Sequence, residues 1–78
     1  MRLPEEEFLI LFNESQGPDA CLAAERIRKT IENKCGVTLS LGIASLVKGD
    51  DVAELVQRAD KALYAAKEKG RNRVEYST

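Results

Sequence analysis

The chain contains no histidine, two cysteines, two prolines, and only two tyrosines and two phenylalanines as its aromatic residues. Without histidine, no Ser–His or Cys–His nucleophile pair can be assembled. Cys21 and Cys35 are too few and too far apart for a metal-binding pattern, and no histidine can complete one. They read as reduced structural thiols, with a bridge between them as the alternative, an uncommon one in a cytoplasmic protein. No apolar run approaches the roughly 20 residues that cross a bilayer, and Met1-Arg2-Leu3-Pro4 does not lead into a signal-peptide core. The cytoplasm is therefore the expected compartment, with no membrane attachment. An excess of one charge sign is missing as well. Twelve basic and thirteen acidic residues leave a net charge of -1, so nothing draws the whole surface to nucleic acid or an anionic membrane.

What is present describes one small globular domain, 1–78. The hydrophobic fraction is 44% and the charged fraction 32% over 78 residues, within the range of folded soluble proteins. A domain of this size buries only about 60% of the surface its unfolded chain exposes, so its stability is expected to be marginal.

Along the chain, Phe8-Leu9-Ile10-Leu11-Phe12 is a short continuous apolar run, which predicts a strand buried on both faces. Asn13 to Gly17 is a polar turn cluster. Pro18 suits the first turn of a helix and Asp19 its positive dipole end. Ala20, Ala24, Ile27 and Ile31 then recur at helical spacing, leaving Glu25, Arg28, Lys29 and Glu32 toward water, and the helix should stop between Asn33 and Gly36. Val37, Leu39, Leu41 and Ile43 alternate with the small residues Thr38, Ser40, Gly42 and Ala44, a second strand whose small face can accept a close-packed helix. Gly42 suggests a bulge or a close backbone approach, helix packing being favoured over ligand contact. After the turn at Lys48-Gly49-Asp50, Asp51 and Glu54 resemble a capping box. The stripe of Val52, Leu55, Val56, Ala59, Ala62, Leu63 and Ala66 predicts the second helix. Gly70 sits where a left-handed C-cap belongs, and Arg73 to Tyr76 alternate as a final strand. The order is strand, helix, strand, helix, strand, an α/β domain without repeats or linkers.

Three stretches in fixed order carry a resemblance: Arg2-Leu3-Pro4-Glu5-Glu6-Glu7-Phe8, then Ser40-Leu41-Gly42-Ile43-Ala44, then Ala59-Asp60-Lys61-Ala62-Leu63-Tyr64-Ala65-Ala66-Lys67 followed by Gly70-Arg71-Asn72. Together they resemble the C-terminal half of GGDEF domains, the diguanylate cyclases that condense two GTP into cyclic di-GMP, over Arg2 to about Tyr76. The resemblance implies an α/β, palm-like remnant of the nucleotide-cyclase fold. The two signature glycines align with Pro4 and Glu5, so the signature is degenerate. Proline fixes φ, and a glutamate stands where a phosphate would pass.

The resemblance also implies the site residues. Glu6 aligns with the metal-binding position, which implies Mg²⁺ if any activity remains, and Glu7 with the next acidic position; both are vestigial catalytic carboxylates on this reading. Taken alone, Glu5-Glu6-Glu7 reads as a solvated acidic run before a strand. Lys67 and Arg71 align with the basic residues that contact the triphosphate of GTP, and a spacing of four puts them on one side of the helix end. Cations there equally suit the negative dipole end. Asp60 and Tyr64, one turn apart, either continue that polar edge with Lys67 or serve helix packing and a local ion pair, the reading favoured. The family's metal-binding aspartate, its guanine-binding asparagine and aspartate, and its Arg-x-x-Asp product-inhibition element all fall outside this chain.

The resemblance further implies that a central strand, between those matching Phe8 to Phe12 and Val37 to Leu46, is missing. Two rows of backbone groups would then be open, inviting a homodimer, strand-exchanged in one form, unless the two strands close directly. The expected function is a truncated, dimerising or regulatory interaction module in cyclic di-GMP signalling, without cyclase activity alone. The alternatives are a Mg²⁺-dependent cyclase and a GTP sensor without turnover.

Overall fold

The computed structural model describes residues 4–13, 17–46, 49 and 51–77. Arg2, the stretch 14–16 of the first turn, and Lys48 and Asp50 of the second lie outside the described residues. The elements are β1 (Glu5–Asn13), α1 (Gly17–Cys35), β2 (Thr38–Leu46), α2 (Val52–Glu68) and β3 (Arg73–Ser77). This is the strand-helix alternation read from the periodicities. Helix α1 ends at Cys35, where Gly36 takes a positive φ of 67° and its N–H reaches the Glu32 carbonyl at 3.1 Å. Helix α2 begins as its cap residues imply: Asp51 accepts the Glu54 N–H at 2.8 Å through Oδ1.

The three strands form one parallel sheet in the order β1-β2-β3. β2 is central and buried on both faces. Leu39, Leu41 and Ile43 face α1, and Ser40, Gly42 and Ala44 face α2. Since the strands advance in one direction while the helices lie on opposite faces, the two crossovers have opposite hands, and one departs from the usual right-handed rule. Gly42 explains how α2 comes so close. A Cβ there would overlap the Ala59 carbonyl oxygen and the Leu63 amide nitrogen, and would lie 2.8 Å from the Leu63 Cα. The β1–β2 register runs through this region without interruption, so the glycine marks a close approach rather than a bulge.

Several expectations are corrected. β1 is an edge strand, not one buried on both faces: Phe8, Leu9 and Leu11 are 50%, 39% and 42% exposed, and only Phe12 is buried. The reason is coverage, because α1 lies over β2 and β3 and barely reaches β1. β1 also begins earlier than the apolar run, so the three glutamates belong to the strand. Arg28, expected in water, has a side chain only 13% exposed and turns toward the end of α2. Val52 and Val56 lie at the exposed margin of the α2 stripe. Finally, β1 and β2 pair directly over nine positions, Glu5↔Thr38 to Asn13↔Leu46, so the rows of backbone groups expected to lie open between them satisfy each other.

Candidate functional site

The end of α2 is built by three consecutive left-handed residues. Gly70 (φ 116°), Arg71 (φ 63°) and Asn72 (φ 47°) reverse the chain into β3. The Lys69 and Arg71 N–H groups return to the Ala65 and Ala66 carbonyls at 3.0 and 2.8 Å. Glycine adopts this region freely and asparagine tolerates it, whereas arginine does so only under restraint.

That restraint comes from three elements at once. The Asn72 N–H donates to the Ser40 hydroxyl at 3.2 Å, and Ser40 in turn donates to the Glu5 carboxylate. The Asn72 side chain accepts from Arg28 Nη1 at 2.9 Å and donates to Glu32 at 3.1 Å. Arg28 is itself held by Glu25 in a two-point contact. The hydrogen bond from Arg28 lowers the Glu25 carboxyl below the usual carboxylate range, and the same bond raises the Arg28 guanidinium. Ser40, fully buried, thus has both its donor and its acceptor satisfied, as a hydroxyl in a core requires.

Beside this turn lies a cleft of about 610 Å³ whose lining includes Glu5, Glu32, Thr38, Lys67, Arg71 and Asn72. Lys67 and Arg71, predicted as a pair, do share it. Their states differ: Lys67 makes an ion pair with Glu7 at 3.2 Å, while Arg71 has no ion-pair partner among the described residues. Glu5 is not part of a solvated run, because the Thr38 and Ser40 hydroxyls both donate to its carboxylate. The acidic residues are separated by the pleat, since neighbours on a strand point to opposite faces. Glu5 and Glu7 lie on the α2 side with the cleft. Glu6 lies on the α1 side, at an apolar groove of about 480 Å³ lined by Phe8, Ile27, Ile31, Cys35 and Leu41 among others. Glu6 therefore stands apart from Lys67 and Arg71.

The residues present do not by themselves fit a divalent metal at Glu6. A hard cation needs several oxygen ligands, and no group of three histidine, cysteine, aspartate or glutamate side chains that could hold one occurs among the described residues. Asp60 and Tyr64 are exposed on α2 outside the cleft's lining. Tyr64 hydrogen-bonds Glu68, which raises the phenol above its ordinary value. Cys21 and Cys35 are free thiols, and partial burial raises Cys21. No helix among the described residues is long and apolar enough to cross a membrane.

A family described as "Diguanylate cyclase, GGDEF domain" matches residues 1–73. The chain belongs to the GGDEF family. It is similar to diguanylate cyclase A of Treponema denticola, at 41% identity over 81 residues that cover 92% of this chain and 22% of that protein. Diguanylate cyclase DosC of Escherichia coli K12 is 38% identical over 79 residues, covering 90% and 17%. The response regulator PleD of Caulobacter vibrioides is 34% identical over 80 residues, covering 88% and 18%. The GGDEF chain thus spans about a fifth of the length of these relatives. No solved structure matches.

Sequence reasoning missed Arg28, Glu32, Ser40 and Asn72 as partners. Asn72 was legible in part, since asparagine directly after Gly70-Arg71 favours a left-handed turn. Ser40 read only as a small residue, and Arg28 as solvated, because hydrogen bonds across more than 30 positions leave no periodic trace.

Proposed function

We propose that this GGDEF chain is a degenerate domain that does not cyclise GTP by itself and acts as an interaction module in cyclic di-GMP signalling, in the cytoplasm. The observation that carries the reading is the split of the family's positions across the sheet. Glu6, aligned with the metal-binding position, is on one face, while Lys67 and Arg71, aligned with the triphosphate contacts, are on the other. Phosphoryl transfer needs cation and phosphate clamp at one place. Lys67 is moreover neutralised by Glu7, and Pro4 and Glu5 replace the glycines that would let backbone approach a nucleotide. Mg²⁺ at Glu6 would need further ligands from beyond the described residues.

A second reading, a GTP sensor without turnover, draws on Arg71. Its guanidinium stands in the cleft without an ionic partner among the described residues, and a planar fork suits phosphate. One experiment separates the readings: incubate the chain with GTP and Mg²⁺, then follow melting temperature and cyclic di-GMP in the same samples. The interaction module predicts no product and no shift. A rise in melting temperature without product supports the sensor, since a ligand that binds only the folded state must stabilise it. Cyclic di-GMP formation overturns both.

A further inference from the structure

The cleft beside the turn at Asn72 holds groups suited to a phosphate, yet most of them are already taken from within the chain. Lys67, Arg71 and Thr38 line it, and the Ser40 hydroxyl donates to Glu5 in its wall. An ammonium, a guanidinium fork and hydroxyl donors are the partners that phosphate oxygens take. Two carboxylates of β1 hold them instead. Glu5 accepts from the Thr38 and Ser40 hydroxyls, and Glu7 pairs with Lys67 at 3.2 Å. Strand alternation puts residues 5 and 7 on the α2 face, and the register Glu5↔Thr38 and Glu7↔Ser40 sets them beside these donors. The start of β1 is tied down as well, since the Pro4 carbonyl accepts the Thr38 N–H at 2.9 Å. Ser40, fully buried, links Glu5 to the turn by accepting the Asn72 N–H at 3.2 Å. Glu32, the other carboxylate of the lining, is engaged by the Asn72 side chain at 3.1 Å.

We propose that Glu5 is a resident anion of this cleft, and that Glu5 and Glu7 together are specificity-determining residues that exclude di- and triphosphates by occupying the donors such a ligand would need. The proposal deepens the interaction-module reading, in which the chain takes up no nucleotide, and rests on it. The carboxylate at position 5 acts in two ways. It satisfies the O–H of Ser40, as a buried hydroxyl requires, so an incoming phosphate oxygen has to displace it and strip a carboxylate of its donors. It also removes attraction. Glu5 and Glu7 offset the two cations of the lining, Lys67 and Arg71, and the positive field that would draw in a polyphosphate is cancelled. The residue standing where the signature has a glycine is therefore a substitute ligand as well as an obstacle.

The test is calorimetric titration of the 78-residue chain with inorganic pyrophosphate in the absence of divalent metal. The wild type is set beside two double variants. Glu5→Gln with Glu7→Gln keeps side-chain length and acceptor oxygens and removes both charges; Glu5→Ala with Glu7→Gln also vacates the two hydroxyls. Each should bind pyrophosphate at least about tenfold more tightly than the wild type, the scale set by removing two like charges at short range near a protein surface. Adding Arg71→Ala should cancel the gain. Asp60→Asn with Glu68→Gln, which removes two charges from α2 outside the lining, should leave the wild-type affinity unchanged. Circular dichroism checks the fold of each, and if the alanine form does not fold, the glutamine pair decides alone. The proposal is overturned by folded variants that bind no more tightly than the wild type, by a gain that survives Arg71→Ala, or by an equal gain from the α2 pair. These outcomes are separable from failure of the functional reading, which falls on cyclic di-GMP formation by the wild type and not on a difference in pyrophosphate affinity.

Discussion

The two faces of the sheet were built from similar material and reached different results. Helices α1 and α2 have 19 and 17 residues, and each presents an apolar stripe to β2. On the α2 face, Leu55, Ala59, Ala62, Leu63 and Ala66 are buried. On the α1 face, only Ala24 among the described side chains of the helix is buried, while Ile27 remains 50% exposed. The difference lies in what each helix meets. α2 faces Ser40, Gly42 and Ala44, a floor small enough for backbone contact, and it reaches all three strands. α1 carries Ile27 and Ile31 above a sheet whose β1 margin it barely reaches, so both line the groove. Burial is decided by the fit of the facing surface, not by hydrophobicity alone.

The strongest way to break this contrast is at Gly42. Gly42→Val should cost about 3 kcal/mol or more, at the severe end of overpacking, because the obstructing atoms are backbone atoms of Ala59 and Leu63. Urea unfolding measures it, and a loss under about 1 kcal/mol would mean that α2 is free to shift. Next is a matched pair of truncations. Leu63→Ala, at a side chain 7% exposed, should cost about 2 to 4 kcal/mol, whereas Ile27→Ala should cost less than about 1 kcal/mol. Equal losses in denaturant titrations would erase the asymmetry. The smallest effect is acid sensitivity on the α1 side. The Glu25 carboxyl is lowered by its bond to Arg28, so its contribution is present above the ordinary glutamate value near pH ~4.3 and is lost as pH falls through the lowered folded value. With Glu25 38% exposed, solvent screening holds this below about 1 kcal/mol. Glu25→Gln should flatten that part of the stability profile between pH ~4.3 and lower pH, and an unchanged profile would show that the pair contributes nothing.

Much of the fold was legible because it is written in local periodicities. The alternation at Val37 to Ile43, the stripe from Leu55 to Ala66, Asp51 as a cap and Gly70 as a left-handed stop each act within a few residues. The candidate site was legible only as a membership list. Lys67 and Arg71 do share a cleft, yet the pairing of Lys67 with Glu7, the capture of Glu5 by Thr38 and Ser40, and the exile of Glu6 to the other face follow from the β1–β2 register, which no local pattern encodes. The apolar run Phe8 to Phe12 likewise looked like a buried strand because burial on both faces and exposure at an edge use the same residues.

By itself, the sequence determined the five elements, their caps, and membership in the GGDEF family, since these rest on residue identities close together in the chain or in fixed order along it. Tertiary structure alone decided which strand became the edge, which carboxylates met cations, and how Ser40 and Arg28 came to hold the left-handed turn at Asn72. Those outcomes depend on contacts across more than 30 positions, where packing geometry and backbone pairing set which side chains meet.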